Sequence, residues 1–78
     1  MDKAILKSLK EGDEYSFNTI YNKYFPLIKY ICYSYLKNNI DAEDLTLDVF
    51  TKIWEKRESI DITKNFKYYL TQIAHNHC

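Results

Sequence analysis

A stripe of apolar side chains runs through residues 17–35 at intervals of one, three and four residues. Its members are Phe17, Ile20, Tyr21, Tyr24, Ile28, Ile31, Cys32 and Tyr35. This spacing places them on one face of an α-helix, whereas the residues of one strand face would be two apart. Because the 78-residue chain contains one glycine and one proline, little of it suits the tight turns of β-hairpins. The sequence therefore predicts an all-α domain.

We expect a compact bundle of about four helices. The first covers residues 2–10 and ends at Gly12, a residue that adopts positive φ at little cost. Asp13 is the expected N-cap of the second helix, which reaches about Leu36. Because Pro26 removes a backbone donor and clashes with the preceding turn, we expect this helix to be kinked or broken there.

The third helix is predicted to begin at Asp41, as N-cap, and to run to about Arg57. Asp44 stands three residues after Asp41, as in a capping box. Ile40 and Leu45 occupy the two positions of a hydrophobic staple, which would fix the entry of the chain into the helix.

A polar connection, "ESIDITKN", separates the third helix from the fourth. Its two aliphatic residues, Ile60 and Ile62, are expected to hold it against the core. The fourth helix begins near Asn65 and continues to the last residue, Cys78. The chain is thus predicted to be one domain, residues 1–78, with its last helix cut short.

The third helix has two different sides when its residues are placed 100° apart. The core side contains Leu45, Val49, Phe50, Ile53 and Trp54. The other side contains Asp44, Leu47, Asp48, Thr51, Lys52 and Glu55. Two interpretations remain open: a solvated polar face with one exposed leucine, or a strip that binds a basic helical partner through an apolar anchor among acids.

The fourth helix divides in the same way. Its predicted buried side contains Phe66, Tyr69, Leu70, Ile73 and Ala74. An adjoining arc contains Asn65, Tyr68, Gln72 and Asn76, with Lys64 and Lys67 nearby. Amides can bond to base edges, tyrosine can stack on an unpaired base, and lysine can meet a phosphate. The alternative is an ordinary polar helix face beside core aromatics.

Other kinds of function have little support in the residues. His75 and Cys78, in "HNHC", make a poor metal site without a second cluster of ligands, and no catalytic constellation is present. We therefore predict a protein that is not an enzyme and uses no cofactor or metal. The net charge is 0, so bulk charge gives no reason to propose nucleic-acid binding. Neither a signal peptide nor a membrane span is recognisable, and two cysteines suit reduced thiols in the cytoplasm.

Three motifs in order resemble region 2 of bacterial RNA polymerase sigma factors, most nearly the extracytoplasmic-function class. They are "LKEGDEYSFNTIYNKYFPLI", "DAEDLTLDVFTKIWEK" and "NFKYYLTQIAHN". The resemblance extends from about Ile5 to Asn76. It implies a transcription initiation module that binds core RNA polymerase and recognises and melts the promoter −10 element.

The resemblance also implies which residues act. The helix that matches the third one docks on the clamp helices of the beta-prime subunit, and the contacts carried over by position are Asp44, Leu47, Asp48 and Thr51. The family usually has glutamine where this chain has Leu47. The non-template strand of the −10 element would be captured by the connection at residues 58–65 and by the fourth helix. The DNA-binding residues so assigned are Lys64, Asn65, Lys67, Tyr68, Gln72, His75 and Asn76.

Two departures from the family bear on function. Arginine is common where His75 stands, so a fixed positive charge is missing. Nothing in the sequence corresponds to the second, helix-turn-helix domain that reads the −35 element. The alternative function is therefore a truncated sigma-like interaction module, which binds polymerase or an anti-sigma protein without contacting DNA.

Overall fold

Four α-helices joined by short connections make up residues 3–77, the part of the chain that the computed structural model describes. They are α1 (Lys3–Lys10), α2 (Glu14–Leu36), α3 (Asn39–Glu55) and α4 (Phe66–His77). A 3-10 turn, Arg57–Ser59, follows α3. The predicted all-α bundle of four helices is confirmed. Asp2 and Cys78, which were expected to extend the first and last helices, lie outside the described residues.

The two longest helices, α2 and α3, pack side by side in opposite directions. Near the start of α2, the ring of Phe17 meets the ring of Trp54 near the end of α3, with centroids 5.2 Å apart. One turn further along α2, Tyr21 meets Phe50, one turn earlier in α3, at 5.0 Å. Aromatic rings therefore fix both the antiparallel direction and the register of this pair.

The last helix, α4, also packs against α2 but runs in the same direction. The ring of Tyr24 lies 5.9 Å from the ring of Phe66 at the start of α4. Further along both helices, Tyr35 lies 5.6 Å from His75. Tyr35, the last member of the predicted stripe, is 50% exposed, because it stands at the end of α2, beyond the core.

The core lies between α2 and the other helices. Its buried apolar residues are Leu6, Leu9, Ile20, Tyr24, Ile28, Cys32, Ala42, Val49, Phe50, Ile53, Ile60, Phe66, Leu70 and Ala74. Most of the predicted core residues are in this set or pack against it. Ile60 is buried and Ile62 half-buried, so the connection between α3 and α4 is held against the core as predicted.

The junction between α1 and α2 matches the prediction. Gly12 has a φ of 89° and donates its N–H to the Leu9 carbonyl at 2.9 Å. The Asp13 carboxylate accepts hydrogen bonds from the Ser16 amide at 3.2 Å and from its hydroxyl at 2.7 Å. A glycine after the helix and an N-cap before the next one explain this sharp change of direction.

The start of α3 differs from the prediction. Asn38 is the N-cap, and its side-chain oxygen accepts a hydrogen bond from the Asp41 amide at 3.0 Å. Asp41 and Asp44 are therefore inside the helix, and their assignment as a cap and capping box is wrong. The staple of Ile40 with Leu45 is also wrong, since Ile40 is helical and 73% exposed. Asn38, three residues before Asp41, caps the helix in its place.

The single proline does not end a helix. Pro26 lies inside α2, which continues through it to Leu36 without a break. Proline removes the hydrogen bond that its amide would have donated to the carbonyl of Asn22. Both residues are exposed, so water can satisfy that carbonyl and the missing bond is tolerated. The predicted kink at this position stays a prediction.

Replacing Asn38 with alanine should destabilise the protein. The change removes the side-chain acceptor for the Asp41 amide, and the free energy of unfolding should fall by about 1 kcal/mol, as measured by urea denaturation. Asn39→Ala is the matched control, because Asn39 is the first residue of α3 rather than its cap. An equal loss from both variants would show that Asn38 is not the cap.

Candidate nucleic-acid interface and partner-binding face

A pocket of about 360 Å³ lies where the connection after α3 meets the first turns of α4. We call it the loop pocket, and its lining residues are Ser59, Ile60, Asp61, Lys64, Asn65, Phe66, Tyr68, Tyr69 and Gln72. It exists because buried Ile60 and Phe66 tie the two sides of the connection to the core, while the polar residues between them remain at the surface.

Aromatic and polar groups take different places around the loop pocket. Phe66 is 4% exposed and Tyr69 half-buried, whereas Tyr68 is 66% exposed. Lys64 and Gln72, both exposed, add a cation and an amide. This arrangement suits a flat ligand that places its faces against aromatic rings and its polar edge against side chains that form hydrogen bonds.

Asn65 immediately precedes α4 and also lines the loop pocket. Its side-chain oxygen accepts a hydrogen bond from the Tyr68 amide at 3.0 Å, and its backbone carbonyl accepts one from the Tyr69 amide at 3.1 Å. This is the geometry of an N-cap. The side-chain oxygen therefore bonds within the protein, and the side-chain NH2 group of Asn65 is the part left for a ligand.

Asp61 gives the loop pocket a fixed negative charge. Its carboxylate accepts hydrogen bonds from the side-chain hydroxyl of Thr63, at 2.5 Å, and from the backbone amide of Thr63, at 2.9 Å. These bonds lower the pKa of Asp61 below its ordinary value of 3.8, and the charges of Lys64 and Lys10 act in the same direction. The carboxylate is accordingly ionised at neutral pH and held in place within the turn.

The seven predicted DNA-binding residues are all exposed, and four of them come together at the loop pocket. Those four are Lys64, Asn65, Tyr68 and Gln72. Lys67, His75 and Asn76 lie elsewhere on α4 and do not line it. His75 is joined to α2 instead, because the Tyr35 hydroxyl lies 2.6 Å from its Nδ1 atom. The predicted DNA-binding residues thus form one wall of the loop pocket and a further exposed stretch of α4.

Five residues lining the loop pocket were not among the predicted DNA-binding residues, and two of them, Ile60 and Phe66, were expected to pack against the core. Ser59 and Asp61 belong to the segment that was assigned to DNA, but neither was singled out, and Tyr69 was assigned only to the core. The aspartate was detectable, since aspartate side chains in turns commonly accept a hydrogen bond from the backbone amide two residues on.

The second candidate surface is on α3. We call it the α3 outward face, defined by Asp44, Leu47, Asp48 and Thr51, which are all exposed. Leu47 is 42% exposed. The Thr51 hydroxyl donates to the Leu47 carbonyl at 2.9 Å, so its proton is used within the helix. The face presents two free carboxylates beside one apolar side chain.

Residues 3–77 offer neither a membrane span nor a metal site. No helix there is long and apolar enough to cross a membrane. No group of three or more potential metal ligands is found in the same residues. Cys78, a member of the weak "HNHC" candidate, lies outside them.

Comparison with known proteins gives concordant matches. The family model for sigma-70 region 2 matches residues 20–78. The ECF RNA polymerase sigma factor SigW of Bacillus subtilis (strain 168) is 34% identical over 76 residues, which are 97% of this chain and 41% of SigW. The chain therefore spans about two fifths of the length of that relative.

A solved structure gives the match in three dimensions. It is the NMR structure of an engineered region 2 of sigmaE in complex with GTAAAA. The TM-score is 0.91 and the sequence identity 25%, over 99% of this chain and 80% of that one. The arrangement of the four helices is therefore shared with sigmaE region 2.

Thr63→Val should raise the pKa of Asp61 towards its ordinary value of 3.8, because it removes the hydroxyl donor that lowers that pKa most. A carboxyl-carbon NMR titration would measure this. Since the folded pKa is the lower one, ionised Asp61 stabilises the turn above pH 3.8, and this contribution is lost as the pH falls through the folded pKa.

The matched control is Thr71→Val, which removes a hydroxyl that bonds to the Tyr68 carbonyl instead. It should leave the Asp61 titration unchanged. An unchanged titration in Thr63→Val as well would contradict the hydrogen bonding described for this turn.

Proposed function

The chain belongs to the sigma-70 region 2 family, and we propose that it is a transcription initiation module that binds core RNA polymerase and recognises and melts the promoter −10 element. The observation that carries the DNA part is the loop pocket, which collects four of the seven residues assigned to DNA. The sigma-70 family is not a class of enzymes. A polymerase partner places the proposed activity in the bacterial cytoplasm.

The loop pocket fits one unpaired base better than duplex DNA. A base that leaves the helix must find an aromatic surface for its face and hydrogen bonds for its edge. Tyr68 supplies an exposed ring, and Gln72 with the amide of Asn65 supplies donors. The Asp61 carboxylate repels phosphate but can accept a hydrogen bond from a base N–H group. A base would therefore enter the loop pocket, while the DNA backbone would lie towards Lys64.

The remaining assigned residues extend this surface along α4. Lys67 offers a charge for a phosphate, and Asn76 offers an amide for a further base. His75 has its Nδ1 atom against the Tyr35 hydroxyl, which leaves Nε2 available for a nucleotide. Successive nucleotides of the non-template strand would therefore follow α4 away from the loop pocket.

The proposed polymerase contact is the α3 outward face, docked on the clamp helices of the beta-prime subunit. α3 carries five acidic residues and one lysine, which favours a basic partner surface. An anti-sigma factor would block polymerase by covering the same face. The alternative of an interaction module without a DNA role is less favoured, because it gives the loop pocket nothing to bind.

Reversing two charges on the α3 outward face should abolish binding to polymerase. In Asp44→Lys with Asp48→Lys, both free carboxylates become cations that repel a basic partner. We expect at least a hundredfold loss of affinity, measured by pull-down and fluorescence anisotropy with core polymerase and with a beta-prime clamp-helix fragment.

Glu11→Lys with Glu14→Lys is the control for this experiment, since it changes the net charge equally at exposed residues outside α3. It should bind normally. If the α3 variant also binds normally, the assignment of this face to polymerase is wrong.

Tyr68→Ala should weaken recognition of the −10 element. Because the side chain is 66% exposed, folding should be unaffected, and the lost base stacking should reduce affinity about tenfold or more. The measurement is binding of single-stranded −10 DNA in the presence of core polymerase, with duplex DNA for comparison. Asn76→Ala should give a smaller loss.

Tyr15→Ala provides the matched control, because Tyr15 is 77% exposed and lies at the start of α2. Full retention of single-strand binding in both Tyr68→Ala and Asn76→Ala would overturn the assignment of α4 to DNA.

A further inference from the structure

Tyr35 and His75 form an exposed pair between the last turns of α2 and α4. The Tyr35 hydroxyl lies 2.6 Å from the Nδ1 atom of His75. The two rings meet edge to face, with centroids 5.6 Å apart and planes 78° apart. Tyr35 is 50% exposed and His75 is also exposed. A hydrogen bond and a ring contact from the same neighbour therefore fix both the position and the plane of an imidazole at the surface.

The length of this hydrogen bond indicates which atom donates. Hydrogen bonds from N–H to oxygen are about 2.7–3.2 Å long, whereas those donated by O–H are about 2.5–3.0 Å long. At 2.6 Å the Tyr35 hydroxyl is the donor and Nδ1 of His75 the acceptor. Because a neutral imidazole carries a proton on one nitrogen only, that proton is on Nε2. Nε2–H is then a hydrogen-bond donor on the other side of the ring.

The Nε2–H donor is kept when His75 takes up a second proton. A phenol hydroxyl can accept as well as donate, so a protonated Nδ1 can donate to the Tyr35 oxygen while Nε2 retains its proton. The form that Tyr35 disfavours is the neutral ring with a bare Nε2. That form would present a lone pair, which repels an anionic oxygen instead of binding it.

The charges on the two helices that hold this pair favour an anionic ligand. α4 contains no acidic residue, and α2 contains none after its first residue. Lys37, two residues after the tyrosine, caps α2. α3 carries acids, but the one ion pair within residues 3–77 joins Lys52 to Glu55, so none of those acids pairs with His75. A directed donor in these surroundings suits a charged acceptor such as a phosphate oxygen.

We propose that Tyr35 is a positioning residue for DNA binding, which holds His75 so that its Nε2–H donates to a phosphate oxygen of the single strand. This inference rests on the proposed function, because it names the contact that His75 makes there. His75 lies seven residues after Tyr68 and three after Gln72, so it continues the exposed strip that starts at the loop pocket. Phosphate oxygens in DNA only accept hydrogen bonds, which matches a donor present in both forms of the ring.

A double-mutant cycle on the whole chain tests whether Tyr35 acts through His75. His75→Ala removes the donor and should weaken binding of single-stranded −10 DNA, in the presence of core polymerase, about tenfold. Tyr35→Phe keeps the ring but removes the hydroxyl, and the less ordered imidazole should bind about threefold more weakly. The double variant should bind as His75→Ala does. An equal effect of Tyr35→Phe with and without His75 would overturn the inference.

Nitrogen NMR of the imidazole gives a readout that a merely structural role would not move. At about pH 9, where histidine side chains are neutral, the unmodified protein should carry the His75 proton on Nε2. Tyr35→Phe should allow the form with the proton on Nδ1 to appear. A proton found mainly on Nδ1 in the unmodified protein would contradict the proposed direction of the hydrogen bond.

Uncharged methylphosphonate linkages, placed one at a time along the single strand, identify the acceptor. At one linkage the substitution should weaken binding of the unmodified protein clearly and that of His75→Ala little, because the contact is already missing there. If no linkage behaves in this way, His75 does not bind a phosphate.

Tyr33→Phe is the matched control, since it removes the hydroxyl of a neighbouring tyrosine, 42% exposed, that is not the partner of His75. It should bind DNA normally. If Tyr68→Ala weakens binding while His75→Ala and Tyr35→Phe do not, the inference is overturned and the DNA assignment of the loop pocket stands. If none of these changes affects binding, the DNA assignment fails and the inference fails with it.

Discussion

Phe50 is 1% exposed and packs against two rings of α2, with its centroid 5.0 Å from Tyr21 and 6.3 Å from Phe25. Each such ring pair contributes about 0.5–1.5 kcal/mol beyond the burial of its area. More importantly, three interlocked rings permit one rotation of α3 about its own axis. That rotation turns Asp44, Leu47 and Asp48 outward. The proposed polymerase contact therefore depends on an aromatic cluster that would not itself contact polymerase.

The loop pocket depends on the core in the same way. Ile60 is 2% exposed and Phe66 4% exposed, and Phe66 packs against Tyr24 of α2. Between these two anchors the chain turns through Asp61 and Asn65, whose side chains bond to nearby backbone amides. A polar connection in a small domain would usually be mobile, but here it is fixed at both ends and braced in the middle, so the pocket keeps a shape that can distinguish ligands.

How far the sequence predicts this molecule differs between its parts. Helical spacing was sufficient for the core side of each helix, because burial follows the period of the helix. The start of α3 was mispredicted because Asn38 and Asp41 are both good caps, and only tertiary packing decides between them. The loop pocket could not be predicted as a cavity, since its existence depends on how Ile60 and Phe66 seat the connection. Four of its residues were nevertheless named, because Asn65, Tyr68 and Gln72 recur at helical spacing and Lys64 lies next to them in the sequence.

The proposed function assigns the two partner surfaces of this neutral chain to different helices. Polymerase docked on α3, as proposed, would leave α4 and the loop pocket uncovered, because α3 and α4 pack against α2 through different ring pairs. A domain held by polymerase meets promoter DNA at high effective concentration, so it needs no strong positive field of its own. A net charge of 0 is compatible with this proposal, because the acids of α3 would face a basic partner while the lysines near the loop pocket would meet phosphates.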